Sequence, residues 1–188
     1  MLMPQVSQPW TREAVLALPD DGNRYELVAG GLLVTPSPRS LHQDAVSLLA
    51  ERIGPWVRAH TLGHIAHAPA DLQLRPGEIY QPDLFVVPLV RGRKPLDWSE
   101  YRTPLLVIEV SSPATARYDR VVKRPAFQDA GVAEYWIVDL DARLVERWRP
   151  RDRRPEIVLD RLVWQPAPDA PSLEIDLPSL FAEVWGEI

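Results

Sequence analysis

The chain has 188 residues, 46% of them hydrophobic, and no cysteine. This content is enough to bury a sizeable core in one domain, and the absence of thiols excludes disulfides, thiolate catalysis and cysteine-bound zinc. The formal net charge of −5 offers no overall attraction to nucleic acid. It argues against a non-specific DNA coat protein, although not against an enzyme with a local basic groove.

The first predicted elements are a short helix and a hairpin. Thr11 is predicted to cap a helix that ends by Leu18, and strands at Arg24–Val28 and 32–34 follow, joined by a tight glycine turn. Glu26 lies on the first of these strands, on the face opposite Tyr25 and Leu27. Strand alternation alone predicts that this carboxylate faces solvent.

The longest predicted helix covers residues 40–59, where apolar side chains recur at helical spacing. His42 lies at the edge of the apolar stripe, near the start of this helix. On its own, a histidine in this position is more often a packed or capping residue than a ligand. Short strands are predicted next at 64–67 and 71–74, followed by a strand at 81–87.

The most informative stretch is 105–110, where five of the six residues are apolar. This composition is typical of a strand that is buried on both faces. A carboxylate, that of Glu109, lies inside the run. Because burying an ionised carboxyl without a partner costs several kcal/mol, the sequence requires something that stabilises Glu109.

A second carboxylate, that of Asp83, occupies a corresponding point on the strand at 81–87. If the two strands pair, Asp83 and Glu109 converge, and convergent carboxylates either share a proton or bind a cation. Hard oxygen ligands favour Mg²⁺ or Mn²⁺, and magnesium held by carboxylates and waters is typical of phosphoryl chemistry. The alternative is that Asp83 only caps the start of its strand after Pro82.

A third candidate, Lys123, lies on a helix predicted near 116–130, which contains the awkward Pro125 and ends at Gly131. The ordinary interpretation is an exposed helical ion pair with Asp119, four residues earlier. However, the chain has 19 arginines and only two lysines, and a lysine offers a compact charge whose pKa can shift. Strands at 134–139, 144–148 and 162–164 and a closing helix at 179–185 complete the prediction.

Several linked motifs resemble the Uma2 family, a group of restriction-endonuclease-like proteins in the PD-(D/E)XK nuclease superfamily. The resemblance spans roughly residues 24–148. It is carried by Pro82-Asp83, the run from Val107 to Thr115, Asp119-Arg120 with Lys123, and the run from Ala130 to Asp139. The N-terminal part adds Tyr25-Glu26-Leu27-Val28 with Gly31, and Pro36-Ser37-Pro38 with His42.

The resemblance implies an α/β fold with a restriction-endonuclease-like core, in which helices flank a central mixed β-sheet preceded by an N-terminal β-hairpin. One nuclease-like domain would cover residues 1–188. Asp83 and Glu109 would bind the metal, with the Val110 carbonyl as a further oxygen. Lys123 would orient or activate the attacking water and stabilise the developing charge, and Glu26 would be an extra acidic residue of the site. His42 is a weaker correspondence.

There is one departure from the superfamily pattern. The lysine expected two residues after the glutamate is Ser111 in this chain, so Lys123 must reach the site from the following helix. In addition, Phe127 stands where relatives often have a tyrosine, and this removes a hydroxyl from the region.

Our first hypothesis is therefore a Mg²⁺- or Mn²⁺-dependent endonuclease that hydrolyses DNA phosphodiester bonds with a metal-activated water. The alternative is a catalytically inactive nuclease-fold protein that binds nucleic acid or another protein, and a weaker option is a phosphoesterase acting on a smaller nucleotide. A homodimer would suit cleavage of both strands. The lack of a long apolar run and of a signal peptide leads us to expect a cytoplasmic protein without membrane partners.

Overall fold

The structure is a computed structural model that describes residues 10–28, 30–35, 39–113 and 115–187. Its strands are β1 (Arg24–Val28), β2 (Gly31–Thr35), β3 (Gly63–His67), β4 (Leu84–Pro88), β5 (Leu106–Ser111), β6 (Glu134–Asp139), β7 (Leu144–Trp148), β8 (Glu156–Val158), β9 (Arg161–Trp164) and β10 (Leu173–Asp176). Its α-helices are α1 (Arg12–Leu16), α2 (Ser40–Ala59), α3 (Ala116–Tyr118), α4 (Arg124–Asp129) and α5 (Leu177–Val184).

The centre of the fold is a six-stranded sheet in the order β3-β4-β5-β6-β7-β8. Strands β5 and β6 are parallel, and every other neighbouring pair is antiparallel. The parallel pair requires a crossover, which the α3 to α4 segment supplies. Two further antiparallel pairs, β1-β2 and β9-β10, form separate small sheets. The mixed central sheet, the flanking helices and the N-terminal hairpin confirm the predicted fold class.

Both faces of the central sheet are covered, as the continuous apolar strands predict. On one face, Ile108 and its alternate neighbours pack against α2, α5 and β9 in a core that includes Leu49 and Phe181. On the other face, Val107 and its alternate neighbours pack against Phe127 of α4 and the segment around Tyr80. Because strand side chains alternate, Glu109 lies on the same face as Val107.

The segment predicted as one helix near 116–130 is instead two short α-helices joined by a π turn at Asp119–Lys123. Pro125, in the first turn of α4, has no amide N–H to donate to the preceding turn, so an uninterrupted α-helix would lack a hydrogen bond there. The predicted disturbance by Pro125 is thus confirmed. Gly131 follows α4 with a φ of 76°, as predicted for a residue that ends a helix.

Most other predicted elements are confirmed, with three differences. Residues 71–74 do not form a strand; among them only Leu72 pairs, through an isolated bridge to Tyr80. The prediction missed β8, whose three residues are too few to show a period, and β10, although its sequence Leu-Glu-Ile-Asp does alternate between apolar and charged residues. The predicted turn at 29–31 and the motif at 36–38 include residues that lie outside the described ranges.

No helix in the described part of the chain is long and apolar enough to cross a lipid bilayer.

Candidate active site

The two carboxylates singled out from the sequence meet at the end of the β4-β5 ladder. Leu84 pairs with Ile108, so the next step of this antiparallel register sets Asp83 opposite Glu109. Asp83 Oδ2 accepts a hydrogen bond of 2.8 Å from the amide of Val110. Asp83 therefore does cap the ladder, as the alternative interpretation proposed, and it also lies beside Glu109.

The second oxygen of Asp83 is held by the hairpin and by α2. Arg24 Nη1 donates to Asp83 Oδ1 at 2.7 Å and to the carbonyl of Gln81 at 3.2 Å. His42 Nε2 lies 3.2 Å from the same Asp83 oxygen. Three segments that are distant in sequence thus fix one buried carboxylate.

Lys123 is buried among three carboxylates. Its Nζ lies 2.8 Å from Glu109 Oε1, 2.9 Å from Glu26 Oε2 and 3.9 Å from Asp119 Oδ1. The contact with Glu109 is a hydrogen bond, whereas the contact with Glu26 is an ion pair without hydrogen-bond geometry. The ordinary interpretation, an exposed helical pair with Asp119, is wrong because both side chains are buried and Lys123 lies closer to two other acids.

The prediction that Glu26 faces solvent is also wrong, since this side chain is buried. The backbone of Leu27 pairs with that of Ile79 through two hydrogen bonds of 2.9 Å, which holds the hairpin against the segment leading to β4. Glu26 Oε1 then accepts a hydrogen bond of 2.8 Å from the amide of Gln81. Strand alternation identifies two faces but not what covers each of them, and here both faces are covered.

The π turn places Asp119 and Lys123 on the side that faces the sheet. The amide of Arg124 donates to the carbonyl of Asp119, five residues earlier, which is the π-helical pattern. Tyr135 of β6 donates its hydroxyl to the same carbonyl at 3.3 Å. Turns of this kind are frequent at functional sites, and this one carries two of the buried charged groups.

We refer to four buried carboxylates, those of Glu26, Asp83, Glu109 and Asp119, as the acid cluster. Among the described residues, the cations that contact it are two: Lys123 and Arg24. Fully ionised, the acid cluster therefore carries two more negative charges than these two cations balance. Such a surplus in a buried region requires bound protons or a further cation.

The pKa values of two of these carboxyl groups are raised, as expected for buried acids with too few cations around them. Burial raises the pKa of Glu109 well above its ordinary value, and the attraction of Lys123 offsets this only in part. Burial likewise raises the pKa of Asp119 to about 6, against the opposing effect of Lys123. Burial by itself would lower the pKa of Lys123, but Glu109, Glu26 and Asp119 together leave it raised, so Lys123 is protonated.

The pKa values of His42 and Arg24, which contact Asp83, are shifted in opposite directions. Burial lowers the pKa of His42, and the nearby Asp83 carboxylate opposes this effect only partly, so the imidazole is neutral near pH 7. A neutral ring with its proton on Nε2 would donate to Asp83. Burial also acts against the charge of Arg24, but attraction to Asp83 and then Glu109 leaves its pKa raised.

A cavity of about 360 Å³ opens onto this region. Asp83, Glu109, Asp119 and Lys123 line it, whereas Glu26 lies behind Lys123 and does not reach the wall. A second hollow of about 300 Å³ lies along α2, and Arg24, His42 and Asp83 belong to the walls of both.

Ser111 also lines the cavity, at the position where the superfamily has its lysine. Its hydroxyl is buried and has no hydrogen-bond partner among the described residues. An unpartnered buried hydroxyl is unfavourable, and a polar ligand or a water in the cavity would satisfy it. Val110 lines the same cavity, and the proposed use of its carbonyl as a metal ligand stays a prediction.

The donor set fits a hard divalent cation that keeps most of its water. Within the described ranges, no three histidine, aspartate or glutamate side chains are arranged around one point that could hold a metal ion. Mg²⁺ commonly needs only one or two protein carboxylates and completes its shell with water. Asp83 and Glu109 provide such a pair on the cavity wall, and the unbalanced charge of the acid cluster equals that of one divalent cation.

Two site residues were missed by the sequence prediction. Arg24 was placed on its strand without a role, although alternation puts it on the same face as Glu26, and this was the available signal. Asp119 was considered as the helical partner of Lys123 and as part of a family motif, but it was given no role in the site. Its burial could not be inferred from the sequence because the π turn changes which side chains face the sheet.

Comparisons with known proteins agree with this fold. The model of the Uma2 family, described as "Putative restriction endonuclease", matches residues 12–182. A crystal structure from Anabaena variabilis ATCC 29413, described as a putative nuclease belonging to DUF820, is similar with a TM-score of 0.71 and 21% sequence identity. The similarity covers 94% of this chain and 99% of that one, and at this identity it shows a shared fold. No curated protein matches.

Proposed function

This chain belongs to the Uma2 family, and we propose that it is a metal-dependent endonuclease that hydrolyses DNA phosphodiester bonds. The observation that carries the proposal is the imbalance of charge in the acid cluster, where four buried carboxylates contact two cations beside a cavity. A purely structural charge cluster gains nothing from two unbalanced negative charges. A site that takes up a divalent cation with its substrate requires them.

Asp83 and Glu109 are the residues that would hold Mg²⁺ or Mn²⁺. A bound cation of this kind would lower the pKa of a coordinated water and offset negative charge on the phosphate. The hydrogen bond from the Val110 amide and the contacts with Arg24 and His42 fix the Asp83 carboxylate before any ligand arrives. Such support keeps the carboxylate oriented toward the cavity.

Lys123 has two roles in this proposal. It holds Glu109 through a hydrogen bond of 2.8 Å, and it presents a fixed positive charge at the cavity wall. A charge that is already in place stabilises the negative charge that develops on a phosphate during hydrolysis, without the cost of reorganising the site. Glu26, behind Lys123, keeps the ammonium group in position.

Arg24 is suited to bind the phosphate. Its Nη1 contacts Asp83 and Gln81, while no described residue accepts a hydrogen bond from its Nε or Nη2. A guanidinium has five N–H donors in a planar fork that matches the oxygens of a phosphate. Because Arg24 lines the cavity next to Asp83, its remaining donors can bind the group that is to be hydrolysed.

A cleavage assay tests this proposal. Purified protein is incubated with supercoiled, linear duplex and single-stranded DNA, with Mg²⁺, with Mn²⁺ or with a chelator. We expect cleavage that requires the metal and falls by at least about a hundredfold in both Asp83→Asn and Glu109→Gln, since each removes a metal ligand. Cleavage that survives both substitutions would contradict the proposal.

Glu134→Gln is the matched control for Glu109→Gln. Glu134 is also a buried glutamate at the β5-β6 pair, but it does not line the cavity. Its substitution should leave the cleavage rate within about twofold of the unsubstituted protein, because a side chain outside the cavity affects stability and does not contact the substrate or the metal.

A second candidate function has its own support. Arg24 and Lys123 already contact carboxylates of the acid cluster, and the described residues contain no ready three-ligand metal site. This favours a catalytically inactive protein that binds nucleic acid or another protein. It predicts no heat of Mn²⁺ binding in a calorimetric titration, whereas binding that is lost in Asp83→Asn would exclude it. Cytoplasmic location and a homodimer stay predictions under either function.

A further inference from the structure

Part of the cavity wall is apolar, and the chemistry proposed above does not use it. Leu41, Pro113, Leu140 and Trp185 contribute this part, while the acids and Lys123 contribute another. An apolar surface beside a phosphate site indicates that something other than the phosphate is bound there. The inference that follows rests on the proposed function, because it concerns which form of DNA enters this cavity.

Trp185 is the aromatic member of this wall and is held in place. It directly follows α5, and its indole N–H donates to the carbonyl of Leu140 at 3.4 Å. The guanidinium of Arg143 lies 5.7 Å from the ring centroid. Even so, 38% of Trp185 remains exposed. A large aromatic surface that is fixed but accessible is suited to stacking on a flat apolar ligand.

Cations accompany the aromatic ring in the same cavity. Arg24 lines it with unused donors, and the exposed Arg39 at the start of α2 lines it as well. Positive groups that follow a phosphate backbone, together with aromatic rings on which bases stack, are the usual features of proteins that bind single-stranded nucleic acid. One nucleotide offers both the anion and the flat ring.

The burial of the acids adds a restriction on the form of the substrate. Asp83 and Glu109 are each only 3% exposed, so a phosphodiester must enter the cavity to reach them. In a duplex, base stacking covers both faces of each base. An unpaired nucleotide has a flexible backbone and a free base face. We infer that the substrate is DNA with an unpaired nucleotide, whose base stacks on Trp185 while an adjacent phosphate reaches Arg24.

Binding of fluorescently labelled oligonucleotides, followed by anisotropy, tests this inference without cleavage. A single-stranded oligonucleotide and the duplex of the same sequence are compared with the metal chelated and with Ca²⁺ present. We expect tighter binding of the single strand, and Trp185→Ala should weaken that binding by about 5- to 150-fold, the loss of one stacked base. Trp185→Phe should restore most of the affinity, because a phenyl ring still stacks.

Trp98→Ala is the matched control. Trp98 is 50% exposed, lies on the short turn at Trp98–Glu100 between β4 and β5, and does not line the cavity. Its removal should leave binding unchanged. Equal affinity for both DNA forms, no binding of either, or a Trp185→Ala protein that binds as well as the unsubstituted chain would overturn the inference.

Different experimental results would contradict the endonuclease proposal and the inference about the form of the DNA. If single strands bind in a Trp185-dependent way but no DNA is cleaved with Mg²⁺ or Mn²⁺, the inference stands and the endonuclease proposal does not. If duplex DNA is cleaved and Trp185→Ala cleaves it at the same rate, the endonuclease proposal stands and the inference is wrong.

Discussion

Among the networks of charged side chains at the central sheet, two that contain buried residues differ clearly in charge balance. The first is the acid cluster with Lys123 and Arg24. The second, which we call the rim network, joins Glu134, Arg147, Arg149 and Glu156 at β6, β7 and the edge strand β8. Arg147 Nη2 lies 2.6 Å from Glu156 Oε1, and Arg149 Nε lies 3.6 Å from Glu134 Oε1. The rim network has two acids and two cations.

Burial alone does not distinguish the two networks. It raises the pKa of Glu134 in the rim network just as it raises that of Glu109 in the acid cluster. The difference is that every charge in the rim network has an opposite partner, so hydrogen bonds with Arg147 lower the pKa of Glu156. A balanced network stabilises the fold, while an unbalanced one beside a cavity is prepared to bind a cation.

Removing the lysine should produce the largest difference between the networks. Lys123→Met leaves three buried acids without their shared cation, so we expect the free energy of unfolding at neutral pH to fall by about 3–5 kcal/mol. Urea denaturation measures the change. The loss should shrink at about pH 4, where Glu109 and Asp119, whose pKa values are raised by burial, hold protons instead. An equal loss at both pH values would contradict this explanation.

The second prediction concerns pH in the absence of metal. The folded pKa of Asp119, about 6, lies above its ordinary value of 3.8, so the folded state binds more protons between these values. The free energy of unfolding should therefore fall as pH rises from about 4 to 7, by about 3 kcal/mol from this group.

Asp119→Asn removes this titrating group, and it therefore tests whether the free energy of unfolding falls as pH rises. The variant should match the unsubstituted protein at about pH 4 and be more stable than it above about pH 7, as measured by urea denaturation in a chelator. Glu156→Gln in the rim network serves as its control and should not flatten the pH dependence. If Asp119→Asn lowered the free energy of unfolding at high pH, it would contradict the claim that the acid cluster carries excess negative charge.

Addition of a divalent cation should stabilise one network and not the other. At a Mg²⁺ or Mn²⁺ concentration about a hundred times the dissociation constant, binding to the folded state adds about 2.7 kcal/mol. Thermal melts should show this shift in the unsubstituted protein and in Glu134→Gln, but not in Glu109→Gln. A shift retained by Glu109→Gln would place the cation elsewhere.

The smallest effect is expected in the rim network. The side chains of Arg149 and Glu156 are 43% and 47% exposed, so solvent screens their interaction. Arg149→Met should cost at most about 1 kcal/mol of unfolding free energy, and added salt should reduce the difference. A cost comparable to that of Lys123→Met would remove the contrast between the two networks.

The sequence by itself predicted that Asp83 and Glu109 form a pair, because the apolar runs that identify their strands are local in sequence. The apolar run around Glu109 identifies a strand buried on both faces, and the run after Asp83 identifies its neighbour. The paired register then follows from strand geometry. The scarcity of lysine pointed to Lys123, although the same sequence allowed an ordinary helical ion pair. The hairpin and the long helix α2 were likewise predicted from local spacing.

Only the tertiary structure decided what surrounds these residues. Arg24 reaches Asp83 from 59 positions away, Glu26 turns inward because the hairpin packs on the segment before β4, and the π turn buries Asp119. Alternation and helical spacing depend on neighbours along the chain, so they predict faces and elements. Which faces of the strands and helices pack against each other depends on contacts between distant segments. This packing creates the unbalanced charge at the cavity.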